Sequence, residues 1–369
     1  MDKKLKIAMI TPHYGYINRG AEMFTKHVSD LLIKRGHVVD IYGMGHGECI
    51  RHVEGMCTDK GMGKVWETIV SKMYIDAFFK KFVGFEVSLT HWSYFLSLSH
   101  TFKNEGYDFL WNNGEMSGAL FCYKARKKYG IPFVCTFHGN ESMMMITEGL
   151  LKPNIYAVLT PKYKTFLQNK IKGNIMCIPN GVDLERYNPR HKSLNKYGID
   201  NLEHPIFLST SALTPQKRLH LAIKAVSKMN RGTLVMTSTG LNKKKIVNMG
   251  YKLLGNRFLY LGVLPDNELA SLYATCDIFT LPSIREPFGL VLVEAMASNK
   301  PVVSQNDKTR QWIVGKAGIL VDCADIDQYA NALEEAHKRD FGNLPRRQAE
   351  QFSWDTCVDK YLQAMEEVI

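Results

Sequence analysis

Residues 281–298 read LPSIREPFGLVLVEAMAS. The apolar run that leads into them, 278–281, is strand-like, the polar residues up to Glu286 form a loop, and the spacing from Phe288 onward is helical. The helix starts near Phe288 and Gly289 and places Glu294 about a turn and a half inside it. If both glutamates lay in one helix, eight residues at about 1.5 Å each would separate them by roughly 12 Å. A carboxylate pair that works together on one glycosidic carbon in a retaining glycosidase needs about 5 Å. Glu286 and Glu294 therefore contact different parts of one extended ligand, if they share a ligand at all. The helix N-terminus between them, with Gly289 allowing close approach, offers backbone N–H groups and a positive dipole end to a phosphate. The plainer reading of the same spacing is an ordinary βα unit with a capping glutamate.

This strand, loop and helix sit late in a longer series. Residues 206–210 (IFLST), 233–237 (TLVMT), 258–261 (FLYL), 278–281 (IFTL) and 301–304 (PVVS) are strand-like and separated by helical stretches. An earlier series opens with 5–10 (LKIAMI), a glycine-containing loop, a helical 21–35 and the strand-like 37–43, and continues through 109–111, 132–137, 157–159 and 175–178. Alternating strands and helices of this kind specify parallel sheets, so the expected fold is α/β with two doubly wound domains in tandem. Residues 186–205 carry Pro189, Gly198 and Pro205 without a sustained apolar period and read as the linker. The expected domains are 1–186 and 187–354, followed by a helix, 355–369, that can pack on either domain and cross back to the first.

Composition agrees. A chain of 369 residues with 45% apolar, 11% aromatic and 22% charged residues holds about two globular domains. Its eight cysteines include no CxxC pair, which excludes a zinc ribbon or a thioredoxin-like site. The apolar run at the N-terminus is too short for a secretory signal, and no run approaches the roughly 18 apolar residues of a spanning helix. A cytoplasmic location is expected. The formal charge of +11, with the larger share of the excess before residue 187, suits phosphate-bearing ligands, anionic lipid or polyanions.

Other candidate sites follow the strand ends. LTPQKR, 213–218, comes just after the first strand of the second series, where a doubly wound sheet presents its ligand edge, so Lys217 and Arg218 are placed for a diphosphate. A surface Lys-Arg pair is otherwise only a solvated face. GYINRGAE, 15–22, joins the first strand and helix. Gly15 and Gly20 permit a tight turn near a phosphate, but the pattern is not GxGxxG, and no GxxxxGK[ST] occurs, so dinucleotide and P-loop sites are poorly supported. His138 follows the strand PFVCTF at its C-terminal end and is the histidine best placed for ligand contact. IPNGVD, 178–183, is by itself a turn.

Taken together, KIAMITPHYGYINRGAE (6–22), GH (36–37), FHG (137–139), IPNGVDLERYNP (178–189), LTPQKR (213–218), LGVLPDNELASLYATCDIFTLPS (261–283) and EPFGLVLVEAMASNKPVV (286–303) resemble the family 4 glycosyltransferases of the GT-B fold, glycosyl transferases group 1, over nearly the whole chain. The E-x7-E signature of the last block is the most specific part. The resemblance implies a retaining transferase that uses a nucleotide-activated sugar, without metal ion or cofactor, in a cleft between two Rossmann-like domains. By motif position Glu294 would hold the ribose hydroxyls and Glu286 would lie beside the donor sugar and diphosphate. Lys217, helped by Arg218, would neutralise the leaving diphosphate. Phe288, Gly289 and Leu290 would contact the donor, the loop of Gly15, Arg19 and Gly20 would close over phosphates and acceptor, and His138 would face the sugar. The implied partners are a UDP- or GDP-linked sugar and a glycan or lipid-linked acceptor in envelope or polysaccharide synthesis, with no nucleic acid.

The chain departs from the family pattern in places. Ala212 stands where many members have an arginine, Asn299 replaces a usual glycine, and QNDKTRQW (305–312) replaces a glycine-rich loop, which makes Arg310 a candidate extra phosphate or donor contact. Ala212 also keeps open a second expectation, a catalytically weakened GT-B scaffold that binds or regulates. An epimerase or an NAD enzyme is disfavoured by the E-x7-E placement and the poor dinucleotide loop. Finally, 64–102 concentrates Trp66, Tyr74, Phe78, Phe79, Phe82, Phe85, Trp92, Tyr94, Phe95 and Phe102 among lysines, which is either core or an amphipathic surface for the inner face of a membrane.

Overall fold

The computed structural model describes residues 4–15, 20–46, 49–53, 89–114, 116–139, 145, 149–191 and 197–369, and the backbone alone for 89–93. The chain divides into two compact units, one comprising Met1–Pro179 and Cys357–Ile369 and the other Asn180–Thr356.

The first unit holds a parallel sheet of β1 (Lys6–Ile10), β2 (Val38–Gly43), β3 (Ile50–His52), β4 (Phe109–Asn112), β5 (Phe133–Phe137), β6 (Ile155–Val158) and β7 (Ile175–Cys177), in the order β3-β2-β1-β4-β5-β6-β7. Helices α1 (Gly20–Lys34), α2 (Leu89–Thr101), α3 (Met116–Tyr129) and α4 (Pro161–Gln168) flank it. The inner strands are buried on both faces, which is why they read as unbroken apolar runs. Tyr94, Phe95 and Phe102 belong to this core, so the core reading holds for these three aromatics of the 64–102 segment. Residues 54–88, and the side chain of Trp92, lie outside the described residues.

The second unit repeats the plan. Strands β8 (Ile206–Thr210), β9 (Thr233–Thr237), β10 (Phe258–Tyr260), β11 (Ile278–Leu281), β12 (Val302–Gln305) and β13 (Gly318–Val321) lie parallel in the order β10-β9-β8-β11-β12-β13. Its helices are α5 (Leu219–Lys228), α6 (Lys243–Leu254), α7 (Asp266–Thr275), α8 (Leu290–Ala297), α9 (Lys308–Val314), α10 (Ile326–Lys338) and α11 (Leu344–Glu350). In both sheets the strand order reverses beside the first strand, between β1 and β4 and between β8 and β11. Ligands bind at such switch points, outside the carboxyl ends of the strands.

The boundary between units lies seven residues before the expected one. Val182 N–H donates to the Phe352 carbonyl at 2.7 Å and Val182 bridges Ser353, which ties the IPNGVD turn into the second unit. The expected linker belongs to that unit as well: the Tyr187 ring meets Tyr273 edge-on at 5.5 Å. Polar, aperiodic sequence reads as a linker when its contacts are long-range. The last helix, α12 (Trp354–Glu366), starts in the second unit and continues into the first. There the Tyr361 hydroxyl lies 2.9 Å from Thr136 Oγ1, and Arg35 pairs with Asp359 at 2.5 Å. Among the described residues no helix is long and apolar enough to cross a membrane.

Candidate functional site

In the second unit, the loops that leave β8 and β11 at the switch point are bound together. Ile284 N–H donates to the Gln216 carbonyl at 3.0 Å. The 3-10 turn Pro215–Lys217 and the loop 282–289 therefore form one surface. On it Lys217 Nζ lies 2.7 Å from Glu286 Oε2, both side chains being mostly buried. The same oxygen accepts from Ser283 Oγ at 2.9 Å. The fold thus brings a cation and a carboxylate together from positions 69 residues apart.

Gly289 caps α8 with φ of 93°, and a Cβ there would press on Glu286 Cγ at 3.1 Å and Leu292 Cδ1 at 3.0 Å. Its left-handed turn lets the chain pass from the Glu286 loop into the helix without displacing either group. Glu294 is the fifth residue of α8. It accepts from the Tyr273 hydroxyl at 2.8 Å, and Tyr187 donates to it as well. Tyr273 also meets Thr210 Oγ1 at 2.5 Å, which anchors the group to the end of β8. Glu286 and Glu294 thus have separate partners, as the spacing requires if they touch different parts of a ligand.

Burial pushes the Glu294 carboxyl up to about 7, and the two tyrosine hydrogen bonds only partly offset this. The Tyr273 and Tyr187 phenols are raised in turn, first by burial and then by the neighbouring Glu294 charge. The folded chain therefore holds a proton at Glu294 that the unfolded chain, with a carboxyl near 4.5, has released. Between these two values the native state binds more protons than the unfolded one, so stability falls as pH rises through the window. The thermal midpoint of the wild type is expected to drop from pH 5 to pH 7 by more than that of Glu294→Gln. Parallel profiles for the two proteins would show that Glu294 is already ionised at the lower pH.

Other expected donor residues occupy different positions. Phe288 is buried, edge-on to Phe352 at 5.6 Å, and serves the core. Leu290 opens α8 and is half-buried. Arg218 has a left-handed backbone, φ 49°, and its guanidinium is engaged, donating from Nε to the Pro282 carbonyl at 2.8 Å and from Nη2 to Gln305 Oε1 at 2.5 Å. It braces the Glu286 loop. Arg310 is wholly buried and donates from Nη2 to both the carbonyl and the hydroxyl oxygen of Ser283 at 2.8 Å. Arg310, expected as an extra phosphate or donor contact, thus has its guanidinium buried behind the loop and turned toward Ser283.

In the first unit, His138 directly follows β5 and donates from Nε2 to Asn113 Oδ1 at 2.5 Å. The Asn113 amide in turn donates to the Ala21 carbonyl at 2.8 Å and to Thr25 Oγ1 at 2.5 Å, which orients it and fixes the proton on Nε2. The Phe24 ring meets the imidazole edge-on at 4.7 Å. Gly15, with φ of 76°, and Gly20, the first residue of α1, flank a loop whose Arg19 lies outside the described residues. Sequence reasoning missed Asn113, Tyr187, Tyr273 and Ser283. Each ends or closely follows a strand or sits in a quoted motif, but a single polar residue there gives no period or spacing to detect.

Two family models match consecutive halves of the chain: Glycosyltransferase Family 4 over residues 18–186 and Glycosyl transferases group 1 over 192–352. The O-antigen chain mannosyltransferase B of Escherichia coli is 36% identical over 110 residues, which cover 28% of this chain and 29% of that protein. The chain spans 29% to 48% of the length of the first three curated relatives it matches. Among solved structures, sucrose-phosphate synthase from Thermosynechococcus elongatus aligns over 99% of both chains with a TM-score of 0.78 and 18% identity. The Anabaena protein HepE in complex with UDP aligns over 98% of this chain and 100% of its own, with a TM-score of 0.70 and 18% identity. Both are likenesses of fold, and with the family models they lead to one conclusion: the chain belongs to the group 1, family 4 glycosyl transferases and has their two-domain GT-B fold.

Proposed function

We propose that the chain is a retaining, metal-independent glycosyltransferase that moves a sugar from a UDP- or GDP-linked donor to a glycan or lipid-linked acceptor. The observation that carries the reading is the Lys217–Glu286 pair at the switch point of the second sheet, with Glu294 in the helix that follows. Breaking the sugar–phosphate bond builds negative charge on the leaving diphosphate and positive charge on the anomeric carbon. Lys217 offsets the first, in place of a metal ion, and the carboxylate of Glu286 stands beside the second. Glu294 takes the ribose hydroxyls. The separate partners of the two glutamates argue against a carboxylate pair acting by double displacement. In a same-face displacement the acceptor oxygen bonds to the anomeric carbon, the carbon–phosphate oxygen bond breaks, and the departing phosphate takes the acceptor proton. No protein nucleophile is then required. The acceptor belongs to the first unit, where His138 follows β5 and Gly15 and Gly20 flank the loop between β1 and α1.

A panel of UDP- and GDP-sugars incubated with the purified chain, with and without glycan acceptors, tests the reading. Nucleoside diphosphate is expected to be released from one donor, and the product to keep the donor's anomeric configuration. Inversion would overturn the retaining step. Tight diphosphate binding with no turnover of any donor would favour the weakened scaffold, for which the exposed Ala212 is the supporting observation.

A further inference from the structure

The resting position of Lys217 raises a question of charge. Its amine is already engaged at Glu286 Oε2, so a donor diphosphate that recruits the amine takes away one of the two hydrogen bonds that oxygen accepts within the protein. A mostly buried carboxylate that loses its cation is costly unless another donor holds it. The other donor is Ser283 Oγ, and its direction is fixed from behind. A guanidinium only donates and a carboxylate only accepts, so the hydroxyl accepts from Arg310 Nη2 and gives its proton to Glu286. Both Ser283 and Arg310 are fully buried. Arg310 is held by an ion pair with Asp307, whose carboxylate also caps α9 through the Arg310 N–H at 3.0 Å. Among the described residues Arg310 Nε has no hydrogen-bond partner. The guanidinium is thus kept in the interior with its hydrogen bonding incomplete, and two of its contacts converge on Ser283.

We infer that Ser283 and Arg310 are positioning residues that keep the Glu286 carboxylate held and compensated after Lys217 moves from it to the donor diphosphate, so that the Lys217–Glu286 ion pair is a resting contact exchanged on donor binding. This rests on the proposed reading of Lys217. Neither residue touches the donor. They act through Glu286, and they lower the cost of releasing Lys217 to the diphosphate.

The exchange predicts a split in affinity that a merely structural role would not produce. Ser283→Ala and Arg310→Met should each weaken binding of the nucleoside diphosphate, UDP or GDP, by roughly tenfold or more, the equivalent of one charge-assisted hydrogen bond. The corresponding nucleoside, which makes no demand on Lys217, should bind within about twofold of wild type. Because Arg310 acts on Glu286 through the Ser283 hydroxyl, the double variant should lose no more than the worse single variant, whereas independent damage multiplies. Calorimetry or ligand-observed NMR reads both affinities, and thermal midpoints report whether each variant folds. Ser283→Cys, which keeps a weak donor at nearly the same volume, guards against a collapse of Arg310→Met and should fall between wild type and Ser283→Ala. A parallel loss of nucleoside and diphosphate affinity, or no loss of either, overturns the exchange. A wild type that binds neither UDP nor GDP overturns the proposed function and the exchange together, and one that binds a diphosphate while the variants match it overturns the exchange alone.

Discussion

Lys217→Ala is expected to lower kcat/KM for sugar transfer by on the order of 10² or more, the usual cost of removing one preorganised group from a developing negative charge. Arg218→Ala is expected to cost less, although the two cations are adjacent in sequence. On the proposed reading Lys217 compensates the leaving diphosphate directly. Arg218 is held by the Pro282 carbonyl and by Gln305, which itself accepts from the Cys323 N–H at 3.1 Å. Its removal chiefly frees the base of the Glu286 loop. The two variants should therefore differ in kind: Lys217→Ala depresses kcat as well as affinity for the diphosphate, whereas Arg218→Ala moves kcat and the thermal midpoint together. Steady-state kinetics beside thermal unfolding measure both. If Arg218→Ala proves the more damaging variant at unchanged stability, Arg218 is the principal cation and Lys217 only the partner of Glu286.

The parts of this fold that sequence made legible are those whose signal is local. Buried parallel strands such as LKIAMI and IFLST announce themselves because both faces are apolar. The edge strands β3 and β13 did not, since IRH is polar and GILV is short and only half-buried. The E-x7-E signature singled out both glutamates and the strand-end rule singled out Lys217 and His138, and the structure sets Lys217 against Glu286. What stayed hidden was every feature set by a distant partner. Nothing in QNDKTRQW says that Arg310 turns inward to Ser283, because that requires knowing that α9 lies behind the loop after β11. Arg218 reads as a surface cation for the same reason. The 186–205 segment reads as a linker because its anchors, Asp266, Glu268, Tyr273 and Asp277, lie far along the chain.

The two signature glutamates should fail in different ways. On the proposed reading, Glu294→Gln is expected to weaken nucleoside diphosphate affinity, with KM for the donor rising by about tenfold or more, because a carboxylate that would accept from a ribose diol is replaced by an amide that accepts at one end only. Glu286→Gln is expected to bind donor at near wild-type affinity and to lose turnover by on the order of 10². Its amide nitrogen can no longer receive the Lys217 amine, so the cation is freer for the diphosphate while the charge beside the anomeric carbon is gone. Protons give an independent check on the first assignment. Glu294 ionises near pH 7 in the free protein, and hydroxyl donors from a ribose favour its ionised form, so binding lowers its pKa and releases a proton just below that pH. Calorimetric titration of the wild type with UDP or GDP in two buffers of different ionisation enthalpy should therefore show proton release near pH 6.5 that disappears in Glu294→Gln. If Glu286→Gln raises KM and spares kcat while Glu294→Gln does the reverse, the two roles are exchanged, and the polar group that meets the ribose is the one on the loop rather than the one in the helix.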